Sequence, residues 1–426
     1  MRLPQPEIPD YSARMDGTSP VGRSARRTFA SLSHPNYRLW FFGQMVSLFG
    51  TWMQSTAQGY LVYELTHSAA YLGYTGFASG IASWLFTLWG GVIADRVSRR
   101  GLLVATQTAA MILAFVLSIL TFSRVVVPWH VIVLAFLLGT VNAFDAPARQ
   151  AFLLDLVDRQ DLTNAIALNS TMFNAAMAVG PALGGVVYAF LGPGWCFAIN
   201  GVSFLAVIAA LRLMRLPPPS ARVRRASAVA EIREGLDAVR GNPAILSLIL
   251  LVCAFSLFGM AFLTLIPAWA VRVLGGDART NGILQSARGV GALLAALGIA
   301  SLGRFGYRGK LLTSFSFAMP VALLAFSFTR ALPLSLAALL AVGAANIVVL
   351  NLANSLLQTQ TADAVRGRVM SIYTLSFFGI MPIGSLLVGT AATRVGEPLT
   401  VSLCALATLA CASAIALAAP ALRRLH

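Results

Sequence analysis

Twelve long apolar runs dominate this chain, and so many can be buried together only in a lipid bilayer. They fall near 38–63, 70–94, 102–123, 130–150, 164–190 and 194–214, and after a polar break near 244–274, 280–302, 311–329, 333–357, 367–392 and 398–419. A helix needs about 20 mostly apolar residues to cross the bilayer. The runs are continuous, whereas a membrane barrel alternates polar and apolar residues in ~10-residue segments. We therefore predict an all-α integral membrane protein with two bundles of six helices.

The composition supports the same class. Of 426 residues, 58% are hydrophobic and 11% are charged, whereas soluble domains carry about 25% charged residues. This excludes an ordinary cytosolic enzyme, a disordered protein and a nucleic-acid binder. The net charge of +16 comes almost entirely from arginine between the runs, since Lys310 is the single lysine. The four cysteines are far apart or on apolar helices, and they form no disulfide framework.

The arginines also predict the domains and their orientation. We expect a tail at 1–36, a six-helix half at 37–215, a linker at 216–243 and a second half at 244–426. With the N-terminus inside, only five arginines fall in outer segments: Arg124, Arg272, Arg279, Arg330 and Arg394. Because cytoplasmic loops are rich in Arg and Lys, we predict that both termini are cytoplasmic.

The linker predicts a short amphipathic helix. Pro217 to Pro219 end the sixth helix. Beyond them, one face carries Val229, Ile232, Leu236 and Val239. Such a helix either lies on the inner membrane surface or tethers the two bundles in solvent.

The two halves are weakly related, and they lack catalytic motifs. With an offset of 201 residues, Ser170 falls on Ser371 and Pro181 on Pro382. Two related six-helix halves are typical of secondary transporters. No phosphate-binding G-x-x-x-x-G-K-[ST] loop, zinc-binding H-E-x-x-H or hydrolase G-x-S-x-G sequence occurs. We therefore predict a protein that is not an enzyme, does not use ATP and binds no cofactor or metal.

The loop after the second run carries the strongest motif. It reads Gly91-Val-Ile-Ala-Asp95-Arg96-Val-Ser-Arg99-Arg100, and it resembles the loop between helices 2 and 3 of the major facilitator superfamily. The family pattern is G-x-x-x-D-R-x-G-R-R, so Ser98 departs from it. The resemblance implies a cytoplasmic gate. In this gate, Gly91 allows close helix approach, Asp95 faces the N-terminus of helix 11, and Arg96 and Arg100 bond carboxylates and carbonyls. The second half has Gly303 at the Asp position, so we expect a weaker gate there.

We assign Asp145 and Arg149 to the same gate because they are i,i+4 neighbours at the inner end of helix 4. Asp145 is also a natural partner for Arg96 or Arg100. An ion pair at the inner rim is our favoured interpretation, with proton transfer as the alternative. Glu64 and Asp145 are the candidates for proton coupling.

Helix 5 contains Gly180-Pro181-Ala-Leu-Gly184-Gly185, which resembles the G-P-x-x-G-G core of the exporter motif in this superfamily. Small residues allow helices to pack closely. We expect this segment to pack on Gly289 and Gly291 of helix 8 in the outer half of the membrane. The alternative is generic packing between helices.

Polar and aromatic side chains within the runs are candidates for a central substrate cavity, with core packing as the alternative. Helix 1 carries a polar stripe at helical spacing, formed by Gln44, Ser47, Thr51, Gln54, Ser55 and Gln58. Arg288 is the only charged residue in the apolar run of helix 8. A charged residue at this depth costs at least ~2.5 kcal/mol, so Arg288 either attracts substrate or is a fixed structural charge, with Glu64 as one possible partner. The candidates are Gln54, Gln58, Asn142, Asn169, Phe173, Asn174, Arg288, Asn346, Asn351 and Tyr373.

Further segments extend the resemblance over residues 30–420. They are Asn36 to Trp40, Gly50 to Gln54, Asn142 to Gln150 and Asn164 to Ser170, and they resemble the bacterial branch of enterobactin exporters and macrolide efflux proteins. The resemblance implies a monomeric, proton-driven antiporter of the bacterial inner membrane that exports drugs, as in multidrug resistance, or a siderophore. The alternatives are uptake, lysolipid transport, or a receptor or scaffold that no longer transports.

Overall fold

The computed structural model describes residues 29–216, 228–302 and 306–425. The tail before residue 29, the start of the linker and Gly303 lie outside these ranges. The described part contains twelve long helices: α1 Pro35–Thr66, α2 Ala69–Arg96, α3 Arg99–Phe122, α4 Pro128–Leu153, α5 Leu162–Leu191, α6 Pro193–Leu213, α7 Pro243–Val273, α8 Ala278–Ser301, α9 Arg308–Phe328, α10 Leu332–Gln360, α11 Asp363–Val395 and α12 Glu397–Ala418.

The predicted all-α membrane fold is confirmed. Ten of these helices, α3 to α12, are long and apolar enough to cross a membrane. The helices α1 and α2 have 32 and 28 residues, and glutamine and hydroxyl side chains lower the hydropathy of α1. No helix end differs from its predicted position by more than four residues.

Local chemistry sets several of the helix ends. The helices α1, α4, α6 and α7 each begin with a proline, which lacks only an N–H that would be unsatisfied at that position. Asp277 starts α8, because its side chain accepts hydrogen bonds from the N–H groups of Arg279 and Thr280. Gly192 and Gly396 take φ angles of 91° and 81°, which glycine adopts freely. These two glycines form the corresponding tight turns from α5 to α6 and from α11 to α12.

Helix α7 is not the continuous helix that the sequence predicts. Pro243–Ala254 is α-helical, and it is followed by a π-helical turn at Phe255–Gly259, a 3-10 segment at Ala261–Leu265 and a second π-helical turn at Trp269–Val273. Contacts with α11 support the break, because the Ser256 hydroxyl donates to the Phe377 carbonyl. Local π-helical turns are frequent at functional sites.

The two halves meet along two helix pairs, α5 with α8 and α2 with α11. The helices alternate in direction, so α1 begins and α12 ends at the same end of the bundle, beside the helix of the linker. We call this the linker end and the opposite one the distal end.

The linker helix, Ala228–Gly241, packs on α11, a contact that the sequence analysis did not predict. A Cβ on Gly235 would lie 3.1 Å from the Arg368 carbonyl oxygen, and Glu234 pairs with Arg368. Val239 is buried, whereas Leu236 of the predicted apolar face is 37% exposed. The side chains of Val229 and Ile232 lie outside the described part. The helix covers α11 because glycine allows the two backbones to approach.

Candidate functional site

The first contact between the halves joins α5 and α8 at the distal end. A Cβ on Gly282 would lie 2.5 Å from the Pro181 carbonyl oxygen, and one on Gly289 would lie 2.4 Å from that of Met177. Gly185 faces Gly282, with its Cβ position 3.1 Å from the Gly282 Cα. The helix backbones therefore touch, as small residues permit.

Three predicted glycines point elsewhere. Gly180 and Gly184 pack on α1, where their Cβ positions would lie 2.5 Å from Trp52 Cβ and 2.8 Å from the Met53 carbonyl oxygen. Gly291 faces Leu340 of α10 rather than α5. The rotation of each helix decides which neighbour a glycine meets, so the motif serves two interfaces.

Polar side chains of α8 that the sequence analysis missed form hydrogen bonds with α5 and α1. The Ser286 hydroxyl accepts a hydrogen bond from the Ala182 N–H at 2.9 Å. Asn281 donates to the Thr56 carbonyl at 3.4 Å, and Gln285 donates to Asn281 at 3.1 Å. The spacing of Asn281, Gln285 and Arg288 follows one helix face, and that signal could have identified them.

The second contact joins α2 and α11, also in their distal halves. A Cβ on Gly80 would lie 2.0 Å from Pro382 Cγ, and one on Gly73 would lie 2.7 Å from the Ser385 carbonyl oxygen. In the sequence, the offset of 201 residues that aligns Pro181 with Pro382 indicates this second contact. We call the α5–α8 and α2–α11 contacts together the distal seal.

The same helix faces are exposed toward the linker end. On α5, Gly185, Ala178 and Thr171 are seven residues apart and share one face. The first two are buried and Thr171 is exposed. On α11, Ser385 is buried, whereas Phe378 and Ser371 on the same face are exposed. The halves therefore separate toward the linker end and leave a cavity between them.

Helix α1 contributes only part of its polar stripe to this cavity. Thr51 and Ser55 are exposed, and they lie nine residues from exposed Phe42 and Val46, which places them on the opposite face. Gln54 is instead buried, and its side chain accepts a hydrogen bond from Asn200 of α6 at 2.7 Å. Gln54 was predicted in the cavity, and this is wrong because α1 turns that face toward α6.

The remaining predicted cavity residues divide between the cavity and the packed bundles. Asn142 is exposed, and Gln58 and Asn169 are half-buried. Phe173 contacts Trp52 edge to face at 5.7 Å between ring centroids, and Asn174 donates to the Ser170 carbonyl of its own helix. The Tyr373 hydroxyl donates to the Leu350 carbonyl inside the second half.

Asn351 is exposed on another side of α10 than Asn346. Five residues separate the two, which corresponds to about 140° around a helix. Asn351 shares its face with exposed Leu340, eleven residues earlier. The structure therefore does not bring Asn351 to the cavity face that Asn346 occupies.

Two buried polar side chains lie at the edge of the distal seal that is nearer the linker end. Arg288 is 8% exposed and Asn346 is 7% exposed. Within the described residues, Arg288 Nε and Asn346 Oδ1 have no hydrogen-bond partner. Glu64 does not pair with Arg288, because its carboxylate accepts a hydrogen bond from Tyr188.

The predicted gate loop braces its own half. A Cβ on Gly91 would meet nothing within 4 Å, whereas one on Gly90 would lie 2.1 Å from the Ala143 carbonyl oxygen, so Gly90 is the close approach to α4. Arg100 donates to the Arg212 and Met214 carbonyls at 2.7 and 3.3 Å, and Arg96 is exposed. The Asp95 side chain lies outside the described part of the structure.

Asp145 is buried in a polar network of the first half. Its carboxylate accepts hydrogen bonds from Thr106 at 2.9 Å and Gln107 at 2.8 Å, and it lies 2.6 Å from Arg149 Nη2. Neither Arg96 nor Arg100 is its partner, which corrects that expectation. Arg99 of the same loop forms an ion pair with Asp155 at 2.8 Å, which the sequence analysis did not predict.

The N-terminal motif segment docks on the start of α5. The Tyr37 hydroxyl donates to the Ala165 carbonyl at 2.9 Å, and the Ser31 N–H donates to Asn164 at 3.0 Å. His34 Nε2 lies 2.8 Å from an Asp161 carboxylate oxygen. Two segments that the sequence analysis treated separately therefore form one joint at the linker end.

Comparison with known families gives a match over nearly the whole chain. A family model described as transmembrane secretion effector matches residues 26–425. The staphyloferrin A transporter of Staphylococcus aureus is 26% identical over 377 residues, which cover 87% of this chain and 93% of that protein. The enterobactin exporter EntS of Citrobacter koseri is 25% identical, covering 84% and 85%. Macrolide efflux protein A of Streptococcus pyogenes is 23% identical, covering 84% and 90%.

Solved structures of transporters share the fold. A variant of the nucleoside transporter NupG superposes with a TM-score of 0.71 at 15% identity, covering 90% of this chain and 99% of that chain. A bacterial homolog of the human lysosomal transporter Spinster, solved in an inward-facing and unoccupied conformation, gives 0.67 at 13% identity, covering 95% and 97%. These likenesses show the arrangement of the twelve helices.

Proposed function

This chain belongs to the transmembrane secretion effector family of the major facilitator superfamily, and we propose that it exports small organic molecules from the cytoplasm by proton-driven alternating access. Family and fold make it a multi-pass membrane protein of a transporter family and not an enzyme. Export, proton coupling, a monomeric state and a bacterial inner-membrane location are the proposed parts.

The observation that carries the proposal is the contrast between the two ends of the bundle. Backbone contacts such as Gly282 on Pro181 close the distal end, while Thr171 and Ser371 are exposed toward the linker end. The arginine bias supports a cytoplasmic linker end. A cavity open to the cytoplasm suits a protein that collects its substrate there.

The substrate class is inferred from the relatives and from the cavity wall. The relatives are named for a siderophore, staphyloferrin A, for enterobactin and for macrolides. Thr51, Ser55 and Asn142 are exposed hydroxyl and amide groups, and Arg288 supplies a buried guanidinium. We therefore favour oxygen-rich organic molecules over simple ions or lipids.

The gate and the proton carrier are proposed from the sequence and the charges. In an outward-facing state, Asp95 would face the N-terminus of α11 and hold the linker end closed, with Arg96 exposed beside it. Glu64, which accepts from Tyr188, and Asp145 are the two acidic candidates for coupling. The network around Asp145 supports a structural role for that carboxylate and leaves Glu64 as the stronger candidate.

Transport into everted membrane vesicles tests this function. Vesicles from cells that express the protein are given a radiolabelled macrolide, enterobactin or staphyloferrin A, with an acidic lumen. We expect accumulation of at least one of these molecules, and we expect nigericin, which collapses the pH gradient, to abolish it. The variant Gly298→Leu serves as a positive control and should accumulate the same molecule as the wild type, because a Cβ at Gly298 meets nothing within 4 Å.

Two outcomes would contradict the proposal. Accumulation only in right-side-out vesicles would indicate uptake instead of export. Failure of all three molecules to accumulate in either kind of vesicle, with the protein correctly inserted, would favour a receptor or scaffold.

A further inference from the structure

Arg288 and Asn346 converge beside the contact between α8 and α10. A Cβ on Gly343 would lie 2.0 Å from the Arg288 carbonyl oxygen, and one on Gly291 would lie 2.0 Å from that of Leu340. Arg288 precedes Gly291 by three residues, and Asn346 follows Gly343 by three. Three residues differ by about 60° from a full turn, so each side chain flanks the line along which the helices touch.

Both side chains lie on the same side of that line. Along α8, Arg288 belongs to the face of Asn281 and Gln285, which meet each other and α1 in the distal seal. The opposite faces of α8 and α10 expose apolar residues such as Leu294 and Leu340, as lipid-facing surfaces do. Since α8 and α10 run in the same direction, Arg288 and Asn346 project from neighbouring helices toward the interior of the protein.

Both side chains have hydrogen-bonding atoms that the described part of the protein leaves without a partner, and a ligand could supply these partners. In the described residues, no carboxylate pairs with Arg288, and its Nε–H donates to no acceptor. Asn346 Oδ1 accepts no hydrogen bond there. A buried charge or amide without a partner is costly, and a charge within a span normally marks a substrate pathway or has a counter-ion.

The position of the pair fits the top of the cavity. Gly289, next to Arg288, contacts Met177 in the distal seal, and α5 exposes Thr171 nearer the linker end. Arg288 is ten residues into α8, or about 15 Å along it. A molecule that enters from the linker end would meet these two groups where the seal begins.

We propose that Arg288 and Asn346 form a binding site for a hydroxycarboxylate, a small organic anion with a hydroxyl beside its carboxylate. The guanidinium N–H groups of Arg288 donate to the carboxylate, in the planar geometry that arginine provides. The Asn346 carbonyl accepts the hydrogen bond of the neighbouring hydroxyl. This site deepens the proposed function, on which it rests, by naming the substrate class.

Isothermal titration of the purified full-length protein with three matched probes tests the site. Citrate has carboxylates and a hydroxyl, tricarballylate lacks the hydroxyl, and trimethyl citrate lacks the charge. We expect citrate to bind roughly fivefold more tightly than tricarballylate, because the hydroxyl adds a neutral hydrogen bond to Asn346. We expect a still larger difference from trimethyl citrate, because hydrogen bonds between charged groups contribute more.

Variants assign the two roles. Asn346→Asp places a carboxylate beside Arg288, so we expect citrate affinity to fall roughly tenfold or more, while thermal stability is retained or rises. Gln358→Glu, which also converts an amide to a carboxylate but on an exposed residue near the linker end of α10, is the matched control and should bind as the wild type does. Arg288→Gln should weaken citrate and tricarballylate alike, and Asn346→Leu should remove the preference for citrate.

The outcomes separate the site from the proposed function. Wild-type protein that binds no citrate, or Asn346→Asp and Arg288→Gln variants that bind it unchanged, would overturn the site even where macrolide export is observed. The expected binding pattern in a protein that exports none of the three labelled molecules would support the site and contradict the proposed export.

Discussion

Gly80 of α2 lies directly against the ring of Pro382 of α11, so that a Cβ on this glycine would lie 2.0 Å from the proline Cγ. The pair joins the two halves of the protein. Its counterpart is the approach of Gly282 to Pro181, where the corresponding distance to the proline carbonyl oxygen is 2.5 Å. A proline on the fifth helix of each half therefore meets a glycine on the second helix of the other.

The first prediction concerns this pair. A leucine at Gly80 cannot fit beside the Pro382 ring, so Gly80→Leu should separate α2 from α11 at the distal end. We expect cysteine probes placed at the distal end to react at least severalfold faster, and we expect export to fall strongly. Gly298→Leu on α8 changes an open position and should leave both measurements unchanged. Unchanged distal reactivity with normal export in Gly80→Leu would refute the role of this contact.

Ser286 provides a milder test of the other half of the seal. Ser286→Ala removes the acceptor of the Ala182 N–H, and a hydrogen bond of this kind contributes about 1 kcal/mol. We expect the ratio of molecules with a closed distal end to molecules with an open one, measured by spin-label distances across the two halves, to decrease by a factor of about five. Ser301→Ala, at the end of the same helix, should not change these distances.

Asp145 and Arg149 invite a double-mutant cycle. Asp145→Asn keeps the shape of the side chain but leaves Arg149 without its charge partner. We expect thermal stability to fall by about 1–3 kcal/mol, and we expect Asp145→Asn combined with Arg149→Gln to recover most of that loss together with pH-driven export. A stable double variant that no longer responds to the pH gradient would instead make Asp145 the proton carrier.

Glu64 is then the residue to examine for coupling. Glu64→Gln keeps a hydrogen-bond partner for Tyr188 but cannot release a proton. We expect export to become insensitive to the pH gradient, while exchange of labelled for unlabelled substrate across the membrane continues. Tyr188→Phe keeps the acid and should retain the response to the gradient. Gradient-driven export by Glu64→Gln at the wild-type rate would exclude Glu64 as the carrier.

The helices and the two halves could be predicted from the sequence because hydropathy is a local property. Contacts that depend on helix rotation could not. Gly180 and Gly184 face α1 while Gly185 faces α8, although all three belong to one motif. Likewise, Gln54 turns to α6 and Ser55 toward the cavity, because adjacent residues of a helix point about 100° apart. The break in α7 has a local signal that the sequence analysis did not use, because Pro267 closely follows the 3-10 segment and cannot donate a helical hydrogen bond.

Two adjacent glycines allow the sharpest comparison between sequence and structure. The sequence motif points to Gly91, but the structure packs Gly90 on the Ala143 carbonyl, with a Cβ position at 2.1 Å, and leaves Gly91 open. Gly90→Ala should therefore force α2 and α4 apart, and we expect a loss of about 1–3 kcal/mol in thermal stability. Gly91→Ala adds the same methyl group in open space, and we expect stability within about 0.5 kcal/mol of the wild type in this state. If Gly91→Ala also keeps its stability but loses export, the space beside Gly91 is needed only in the outward-facing state, where the gate around Asp95 would close.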